Sequence, residues 1–440
     1  MNKIIYLVII FISFNNYLFP QRQDVSDSLI HKGTLKNCID YALTHQPFVQ
    51  KSLLDEEITS HEINGRIADW FPQLNLNMNF THNYQLPVSI VGGTPLTTIL
   101  HNTSAAQFSL TQTIFNRDVF LAASTSRDIS LLMKQKTAFS KINVISIVSK
   151  AFYSVLFTQE QIALLDEDVL RLQQSVKDTY NQYKGGLVDK TDFERATIAL
   201  NNAQAEKKQF AELLKSRYAF MKEQMGYPSS ANLELEFDTT KMQSEAFLDT
   251  TEKLNYENRI EFQLLQSQIQ LQKANLSYYD LSFVPSLTAF GNYTYFYQND
   301  NMSKLYNQNY PYSNVGLQLS FPIFQGGKRI QEIEQANLEL KRYNYDIISL
   351  KDSINSEYIT AMGEYKSSMN DYNILKENLV LANDVYNTIH LQYKSGIKTY
   401  LDVITAETDL RTTQANYNNA LFQVLSSKLD VQRALGIIQY

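Results

Sequence analysis

The second half of the chain repeats, in the same order, the motifs of the first half. Tyr-Lys-Gly-Gly-Leu at 183–187 returns as Tyr-Lys-Ser-Gly-Ile at 393–397, and Trp-Phe-Pro-Gln-Leu at 70–74 returns as Phe-Val-Pro-Ser-Leu at 283–287. Because several motifs keep their order at a nearly constant offset, the sequence indicates an internally duplicated fold. Two copies are too few for a solenoid, so we expect each half to contribute the same elements to one assembly.

Both halves contain a very long helical segment. The first, at about 116–184, has neither proline nor glycine before its end, and the second lies at about 327–394. At ~1.5 Å per residue, the first would be ~100 Å long. Each is followed by a glycine turn and a return helix, which ends near Met225 in the first half and near Leu435 in the second. Since no single broad apolar stripe is present, each pair is predicted to be an antiparallel coiled-coil hairpin.

Four short segments alternate between apolar and polar residues, which is the pattern of β-strands. In the first of them, leucine, methionine and phenylalanine alternate with asparagine and threonine, so that one face is wholly polar. The predicted strands are 74–84, 104–115, 287–297 and 313–321. Their length suits tilted strands that cross a bilayer, although a soluble hairpin packed on the helices has the same pattern. The long helical rods, together with the export signal described below, favour strands that cross a membrane over a soluble hairpin.

The N-terminus carries the pattern of a secretory signal peptide. Lys3 precedes an apolar run at 4–14, and a polar stretch follows it. A basic start with an apolar core of about ten residues is typical of export signals and is too short to span a bilayer. No later segment approaches ~18 consecutive apolar residues, so we expect no transmembrane helix, and membrane insertion would require β-structure. The single cysteine, Cys38, leaves no internal disulfide to form.

These patterns divide the chain into four parts. They are a signal peptide at 1–20, a first repeat at 21–230, an equatorial linker at 231–250 and a second repeat at 251–440. In the linker, alternation at 233–237 predicts a short strand, and the second repeat is predicted to open with a helix from about Glu252 to Tyr279. Trp70 falls at a helix–strand junction, where an aromatic residue at a membrane interface is expected, although core packing would explain it nearly as well.

Composition and spacing exclude several functions. The net charge of −6 and the pI of about 5.6 argue against nucleic acid as a partner. The six histidines lack metal-ligand spacing, and the Gly-Gly-Lys at 326–328 lacks the upstream glycine of a phosphate-binding loop. No nucleophile and base can be paired by spacing. We therefore expect no cofactor, no metal and no enzymatic activity.

Four strands cannot close into a barrel, and open sheet edges are not tolerated in lipid. The chain is therefore expected to oligomerise. Two copies would supply eight strands, which enclose an interior filled by side chains, whereas three would supply twelve and leave a lumen. The polar strand face, which includes Asn75, Asn77 and Asn79, would then line water, and the apolar face would meet lipid.

The motifs of both repeats resemble those of a known family. The residues concerned are Pro72-x-Leu74-x-Leu76, Pro285-x-Leu287, Tyr393-x-x-Gly396-x-x-x-x-Leu401-Asp402-Val403 and Arg433-Ala434-Leu435-Gly436. They resemble the TolC-type outer-membrane efflux proteins over essentially the whole mature chain. In the first repeat, Gly185-Gly186 and Asp192-Phe193 keep the turn but lack the full leucine pattern.

The resemblance implies a mostly α fold with a membrane β-barrel. Internally duplicated, long antiparallel coiled-coil hairpins would form an α-barrel, with four transmembrane strands per chain and a twelve-stranded barrel in a homotrimer. The resemblance also implies an outer-membrane location that extends into the periplasm, and two protein partners. These are a periplasmic adaptor (membrane fusion) protein and an inner-membrane pump, which would supply the energy for a passive conduit.

The resemblance marks the two glycine turns as adaptor contacts. The residues concerned are Gly186, Leu187, Val188, Gly396, Ile397 and Lys398. The turns would lie at the far ends of the rods, ~100 Å from the strands. The geometric alternative is that each glycine supplies a left-handed turn and that Leu187 or Ile397 only caps the hairpin.

Residues just after the turns are expected to form a periplasmic gate. Three symmetry copies of Asp402 would make an acidic ring at a constriction. In this hypothesis Lys398 and Tyr393 bond to Thr191 and Asp192 of a neighbouring hairpin. Alternatively, Asp192 and Asp402 are helix N-terminal acids that the helix dipole stabilises by about 0.3–1 kcal/mol. The position where the family places a second acid is occupied by Thr405, which puts a double acidic ring in doubt.

The expected function is thus a gated outer-membrane duct that carries solutes from the periplasm and the pump to the exterior. Two alternatives stay open at this point. One is a periplasmic coiled-coil scaffold that never inserts and packs its strands on its own helices. The other is a stand-alone porin that works without a pump.

Overall fold

The computed structural model describes residues 30–440, except 31, 98, 237 and 238. The predicted signal peptide lies outside the described residues. The described chain is mostly helical with antiparallel sheet, as expected. Its α-helices are α1 (Leu35–His45), α2 (Pro47–Ala68), α3 (Arg117–Lys184), α4 (Lys190–Met225), α5 (Thr239–Glu245), α6 (Ile260–Asp280), α7 (Lys328–Lys394) and α8 (Tyr400–Leu435). Helix α1 begins at Leu35, where the Thr34 hydroxyl caps it by accepting the amide of Asn37 at 3.2 Å.

The strands form one antiparallel sheet and one small hairpin. They are β1 (Gln73–His82), β2 (Val88–Val91), β3 (Thr94–Thr97), β4 (Asn102–Phe115), β5 (Ser286–Asn299) and β6 (Tyr312–Ser320). The order in the larger sheet is β1-β4-β5-β6, so the two repeats meet at the β4–β5 pair. Strands β2 and β3 pair with each other and lie outside the four predicted strands.

The larger sheet has two chemically different faces. The register pairs Leu74 with Leu110, Leu76 with Phe108 and Phe80 with Ser104. Because side chains alternate between faces, these residues share one face, which we call the apolar face. It comprises Leu74, Leu76, Met78, Phe80, Ser104, Ala106, Phe108, Leu110, Gly291, Tyr293, Tyr295, Tyr297, Val315, Leu317 and Leu319. The opposite, polar face carries the asparagines of β1 and the hydrogen bond between the amides of Asn292 and Asn314 (2.9 Å).

The hydrophobic core lies midway along the long helices, where they meet the linker. Its members include Cys38, Tyr41, Val148, Phe152, Leu156, Met221, Met225, Tyr365, Val424, Leu425, Val431 and Leu435. Among the described residues, α3 is the one helix with an 18-residue window apolar enough to cross a membrane, and 61% of that window is buried within the chain. We therefore assign its apolar residues to this core.

Each repeat closes with a left-handed glycine that touches the start of the same repeat. Gly226 ends α4 with φ of 67°, and Gly436 ends α8 with φ of 72°. A Cβ at Gly226 would lie 2.7 Å from the carbonyl oxygen of His45, and one at Gly436 would lie 2.6 Å from that of Asn258. These two junctions pack backbone against backbone, and neither leaves room for a side chain.

The linker and the start of the second repeat differ from the prediction. Instead of a strand at 233–237, the described residues show one isolated parallel bridge between Gly33 and Leu235, followed by the short helix α5. The strand prediction is wrong here because, among the described residues, Gly33 alone exchanges backbone hydrogen bonds with this stretch. Helix α6 begins at Ile260 rather than near Glu252, since a 3-10 turn at Tyr256–Asn258 precedes it.

Candidate functional site at the tips of the helical hairpins

The two turns at the ends of the rods have the same hydrogen-bond geometry. In the first, the amide of Gly186 donates to the carbonyl of Tyr183 (3.0 Å) and that of Leu187 to the carbonyl of Gln182 (2.9 Å). In the second, the corresponding bonds are both 2.9 Å long. This is the Schellman arrangement, which needs a left-handed residue at its centre. Gly186 with φ of 73° and Gly396 with φ of 74° supply that conformation.

Each turn presents one large apolar side chain to solvent. Leu187 is 79% exposed and Ile397 is 73% exposed. Beside them Val188 is partly buried and Lys398 is exposed. The left-handed glycines explain the shape of the turns. They do not explain why Leu187 and Ile397, at the ends of the rods farthest from the sheet, are exposed to water. Paired exposed apolar residues of this kind fit a contact surface.

Two hydrogen bonds near the tips connect the first hairpin to the second. The hydroxyl of Tyr393 on α7 donates to Oε1 of Gln182 on α3 at 2.9 Å. Farther from the tip, the hydroxyls of Ser175 on α3 and Tyr400 on α8 lie 2.7 Å apart. Burial raises the pKa of Tyr400 to about 12, so this hydroxyl keeps its proton at neutral pH. Both tyrosines therefore hold the hairpins together as neutral hydrogen-bonding groups.

A partly buried ionic cluster forms a third link, one helical turn beyond Ser175. On α3, Arg171 contacts the carboxylate of Asp168, and its Nε donates to Oε1 of Glu407 on α8 at 3.1 Å. The guanidinium also lies over the ring of Tyr386 at 5.5 Å. Burial raises the pKa of Glu407, and the charge of Arg171 opposes that rise. We call Asp168, Arg171 and Glu407 the hairpin clasp.

Asp402 is held by its own helix terminus. Its Oδ2 accepts the backbone amide and the hydroxyl of Thr399 at 2.9 and 2.8 Å, while its amide is bonded to the Thr399 hydroxyl at 3.4 Å. This is a capping box. These hydrogen bonds, together with the charge of Lys398 at 3.9 Å, lower the pKa of Asp402. The carboxylate therefore stays ionised to lower pH than an ordinary aspartate.

The remaining predicted gate residues lie close to these groups. Asp192 lies in the first turn of α4, and its charge contributes to the raised pKa of Tyr393, whose main cause is burial. Thr191 and Thr405 are exposed, and the Thr405 hydroxyl donates to its own helix. Within one chain, Tyr393 bonds to Gln182 and Lys398 pairs with Asp402. The predicted bonds from these two residues to Thr191 and Asp192 of a neighbouring hairpin stay a prediction.

Trp70 lies at the other end of the rods, where α2 leads into β1. It is exposed, and so are Phe71, Phe283 and Val284 beside the same end of the sheet. Core packing within the chain therefore does not account for Trp70. An aromatic group at this junction fits the edge of a membrane.

Sequence reasoning missed most of the residues that join the hairpins. They are Arg171, Ser175, Gln182, Tyr400 and Glu407. Their partners lie more than 200 residues away along the chain, and no local pattern links them. Thr399, which caps α8 and does not join the hairpins, does have a local signal in the sequence. Thr-x-x-Asp before a helix is close to the pattern of a capping box.

A sheet with one apolar and one polar face, joined to helical hairpins ~100 Å long, is the architecture of an outer-membrane channel with a periplasmic helical extension. The sequence model of the outer membrane efflux protein family matches residues 38–226 and 256–437. The chain belongs to this family. It is accordingly an outer-membrane protein and a channel component of efflux and export.

Several relatives are similar over most of their length. The outer membrane protein TolC of Escherichia coli is 24% identical over 435 residues, covering 93% of this chain and 84% of TolC. The alkaline protease secretion protein AprF of Pseudomonas aeruginosa is 20% identical and covers 77% of this chain and 70% of AprF.

Solved structures have the same fold. CusC, a protein that forms a transmembrane channel, superposes on this chain with a TM-score of 0.76 at 16% identity. The match covers 93% of this chain and 95% of CusC. The open state of the Neisseria gonorrhoeae MtrE outer membrane channel superposes with a TM-score of 0.71 at 18% identity, covering 91% of this chain and 88% of MtrE.

Proposed function

We propose that three copies of this chain close into one twelve-stranded outer-membrane barrel, continued into the periplasm by a tunnel of helices. The conduit is passive and gated at its tips, and an adaptor and an inner-membrane pump deliver solutes to it. The observation that carries this proposal is the open four-stranded sheet, whose outer strands β1 and β6 each have one edge with no partner strand among the described residues.

The edge strands are also the most exposed apolar part of the sheet. Met78 on β1 is 75% exposed and Val315 on β6 is 87% exposed. An exposed edge of this length and composition would aggregate in water and would leave unsatisfied backbone groups in lipid. Pairing of β6 with β1 of the next copy removes every edge when three copies close the ring. Lipid then covers the apolar face, and water fills the side of the asparagines.

Adjacent residues of β1 provide a direct test. Met78→Arg places a charge on the apolar face, which costs about 2–4 kcal/mol at the bilayer centre, whereas Asn77→Arg places the same charge on the polar face. We expect Met78→Arg to lose heat-modifiable trimers from the outer-membrane fraction, and Asn77→Arg to keep them. The measurement is membrane fractionation followed by electrophoresis of heated and unheated samples.

The same fractionation experiment also distinguishes the proposed barrel from a soluble scaffold. If the strands packed on the protein's own helices, the wild-type chain would leave the membrane fraction as a detergent-independent monomer. A chain that tolerates both arginines equally would also contradict the assignment of the two faces.

The tips supply the gate and the docking surface in this proposal. The bonds that join the hairpins inside one chain support a closed resting arrangement, which opens when the hairpins separate. The exposed Leu187 and Ile397 support adaptor docking over the alternative of a stand-alone porin, in which these apolar residues would have no partner. Asp402 would line the narrow end of the tunnel.

Two substitutions separate the ring role of Asp402 from its capping role. Asp402→Asn removes the charge but keeps an oxygen that accepts from Thr399, whereas Thr399→Ala weakens the cap but keeps the charge. We expect Asp402→Asn to reduce cation selectivity of single channels in planar bilayers, and Thr399→Ala to preserve it. Because the pKa of Asp402 is lowered, wild-type selectivity should persist as the pH falls to about 4, the ordinary aspartate pKa. Unchanged selectivity in Asp402→Asn would remove this residue from the aperture.

A further inference from the structure

We propose that the short helix between β5 and β6, Met302–Asn307, is a lipid anchor seated at the headgroup–acyl boundary of the outer leaflet. We call it the loop helix. The inference rests on the proposed function in one respect, namely that the apolar face of the sheet meets lipid. It adds that a connection at the outer end of the sheet binds to the outside of the barrel and not across its mouth.

The position of the loop helix follows from contacts of Tyr306. Its ring centroid lies 5.2 Å from that of Tyr297 in an edge-on arrangement, and its hydroxyl lies 3.4 Å from the hydroxyl of Ser104. Ser104 and Tyr297 are direct partners across β4 and β5, and Ser104 also pairs with Phe80 on β1. All of these residues belong to the apolar face. The loop helix therefore covers that face, on the side of the sheet opposite the asparagines.

Local hydrogen bonds fix the loop helix in this place. The side chain of Asn301 accepts the amide and the hydroxyl of Ser303 at 3.1 and 2.9 Å, which caps its first turn. After the helix, the amide of Tyr310 donates to the carbonyl of Phe296 on β5 at 2.7 Å. Leu305 is only 1% exposed. The chain thus enters and leaves the loop helix at defined points and buries its one leucine.

The exposed residues of the loop helix have the composition of a membrane interface. Tyr306 is 62% exposed and Met302 is 55% exposed, and Lys304 is exposed between them. Tyr310 and Tyr312, which follow the helix, are exposed as well. Tyrosine rings and the long stem of lysine combine an apolar body with a polar end, which suits the boundary between acyl chains and headgroups.

The location of the loop helix favours lipid, and not a second copy of the chain, as the material that covers its exposed residues. The loop helix contacts β4 and β5, the two central strands of the sheet. Neighbouring copies would join at the outer strands β1 and β6, on the flanks of the sheet. The chemistry next to the exposed tyrosines is therefore the lipid that covers the rest of the apolar face.

Fluorescence quenching can locate the loop helix, because the chain has a single tryptophan. In a Trp70→Phe background, Tyr306→Trp places a reporter on the loop helix, and Met302→Trp is a second reporter if the first variant fails to fold. Two reference reporters are Leu317→Trp at the middle of the apolar face and Asn77→Trp on the polar face. The trimers are reconstituted into phosphatidylcholine vesicles that carry nitroxide groups either near the headgroup or near the chain end, and acrylamide serves as the aqueous quencher.

The proposal expects the loop-helix reporter to be quenched several-fold more by the shallow nitroxide than by the deep one. The Leu317→Trp reporter should respond to the deep nitroxide, and the Asn77→Trp reporter to acrylamide only. If Leu317→Trp behaves this way but the loop-helix reporter responds only to acrylamide, the anchor is overturned and the barrel stands. A loop-helix reporter shielded from all quenchers would mean that a second copy covers it, which also overturns the anchor. If lipid fails to quench Leu317→Trp, the proposed barrel itself fails.

Discussion

Alanine in place of Gly226 or Gly436 is expected to lower the stability of the protein more than any other single methyl group added to a glycine turn. Both glycines have left-handed backbone conformations, with φ of 67° and 72°. For alanine this conformation costs about 1–2 kcal/mol. The added Cβ would also lie 2.7 Å from the His45 carbonyl oxygen or 2.6 Å from that of Asn258. Because backbone must move to relieve such overlap, a further ~1–3 kcal/mol is expected.

The tip glycines provide matched controls for this experiment. Gly186 and Gly396 have nearly the same φ, 73° and 74°, but a Cβ at either position meets nothing within 4 Å. Alanine there should cost only the conformational part, about 1–2 kcal/mol, in an exposed turn. The measurement is the midpoint of thermal loss of helical circular dichroism in detergent. Equal midpoints for Gly226→Ala and Gly186→Ala would show that the junctions yield without cost.

These paired glycines show how far the duplication extends. The repeated turns and strands are predictable from the sequence, because glycine and proline mark turns locally and period-2 alternation marks strands. The rods were readable because long stretches lack glycine and proline. The equivalent roles of Gly226 and Gly436 cannot be predicted from the sequence, since each depends on a backbone contact with a distant segment. Gly226 contacts His45, and Gly436 contacts Asn258.

Two short elements differ from what the sequence pattern indicates, one in the linker between the repeats and one within the first repeat. Leu235 forms one bridge where alternation indicates a strand, because a strand needs a partner strand and, in the part of the chain that the structure describes, Gly33 alone pairs with it. The β2–β3 hairpin is not among the predicted strands, because Pro87 and Pro95 are more typical of a loop than of a strand. In both places, tertiary context overrides local pattern.

The candidate site was only partly predictable for the same reason. The turns and Asp402 have local signals, namely glycine at the turn and an acid in the first turn of a helix. The bonds between hairpins have none: Gln182 and Tyr393 are 211 positions apart, and Arg171 and Glu407 are 236 apart. The sequence located the tips, and only the fold identifies the residues that hold them together.

Loss of the arginine from the hairpin clasp is expected to loosen the closed tip. Arg171→Met keeps most of the side-chain volume but removes the partner of Asp168, whose side chain is only 3% exposed. An uncompensated buried carboxylate typically costs about 3–5 kcal/mol. The same change removes the bond to Glu407, one of the links between the first hairpin and α8. We therefore expect a lower thermal midpoint and a several-fold larger closed-state conductance in planar bilayers.

An exposed pair of the same type provides the control. Lys190 and Glu194 form an i,i+4 ion pair in which both side chains are at least half exposed. Because water solvates each partner, Lys190→Met should leave the thermal midpoint and the conductance nearly unchanged. Asp168→Asn combined with Arg171→Met should recover part of the lost stability, since the more deeply buried of the two carboxylates that Arg171 pairs with is then neutral. It should not recover the closed conductance, because the bond to Glu407 is still absent. A double variant that restores both would mean that the buried charge, and not the link between hairpins, controls the closed tip.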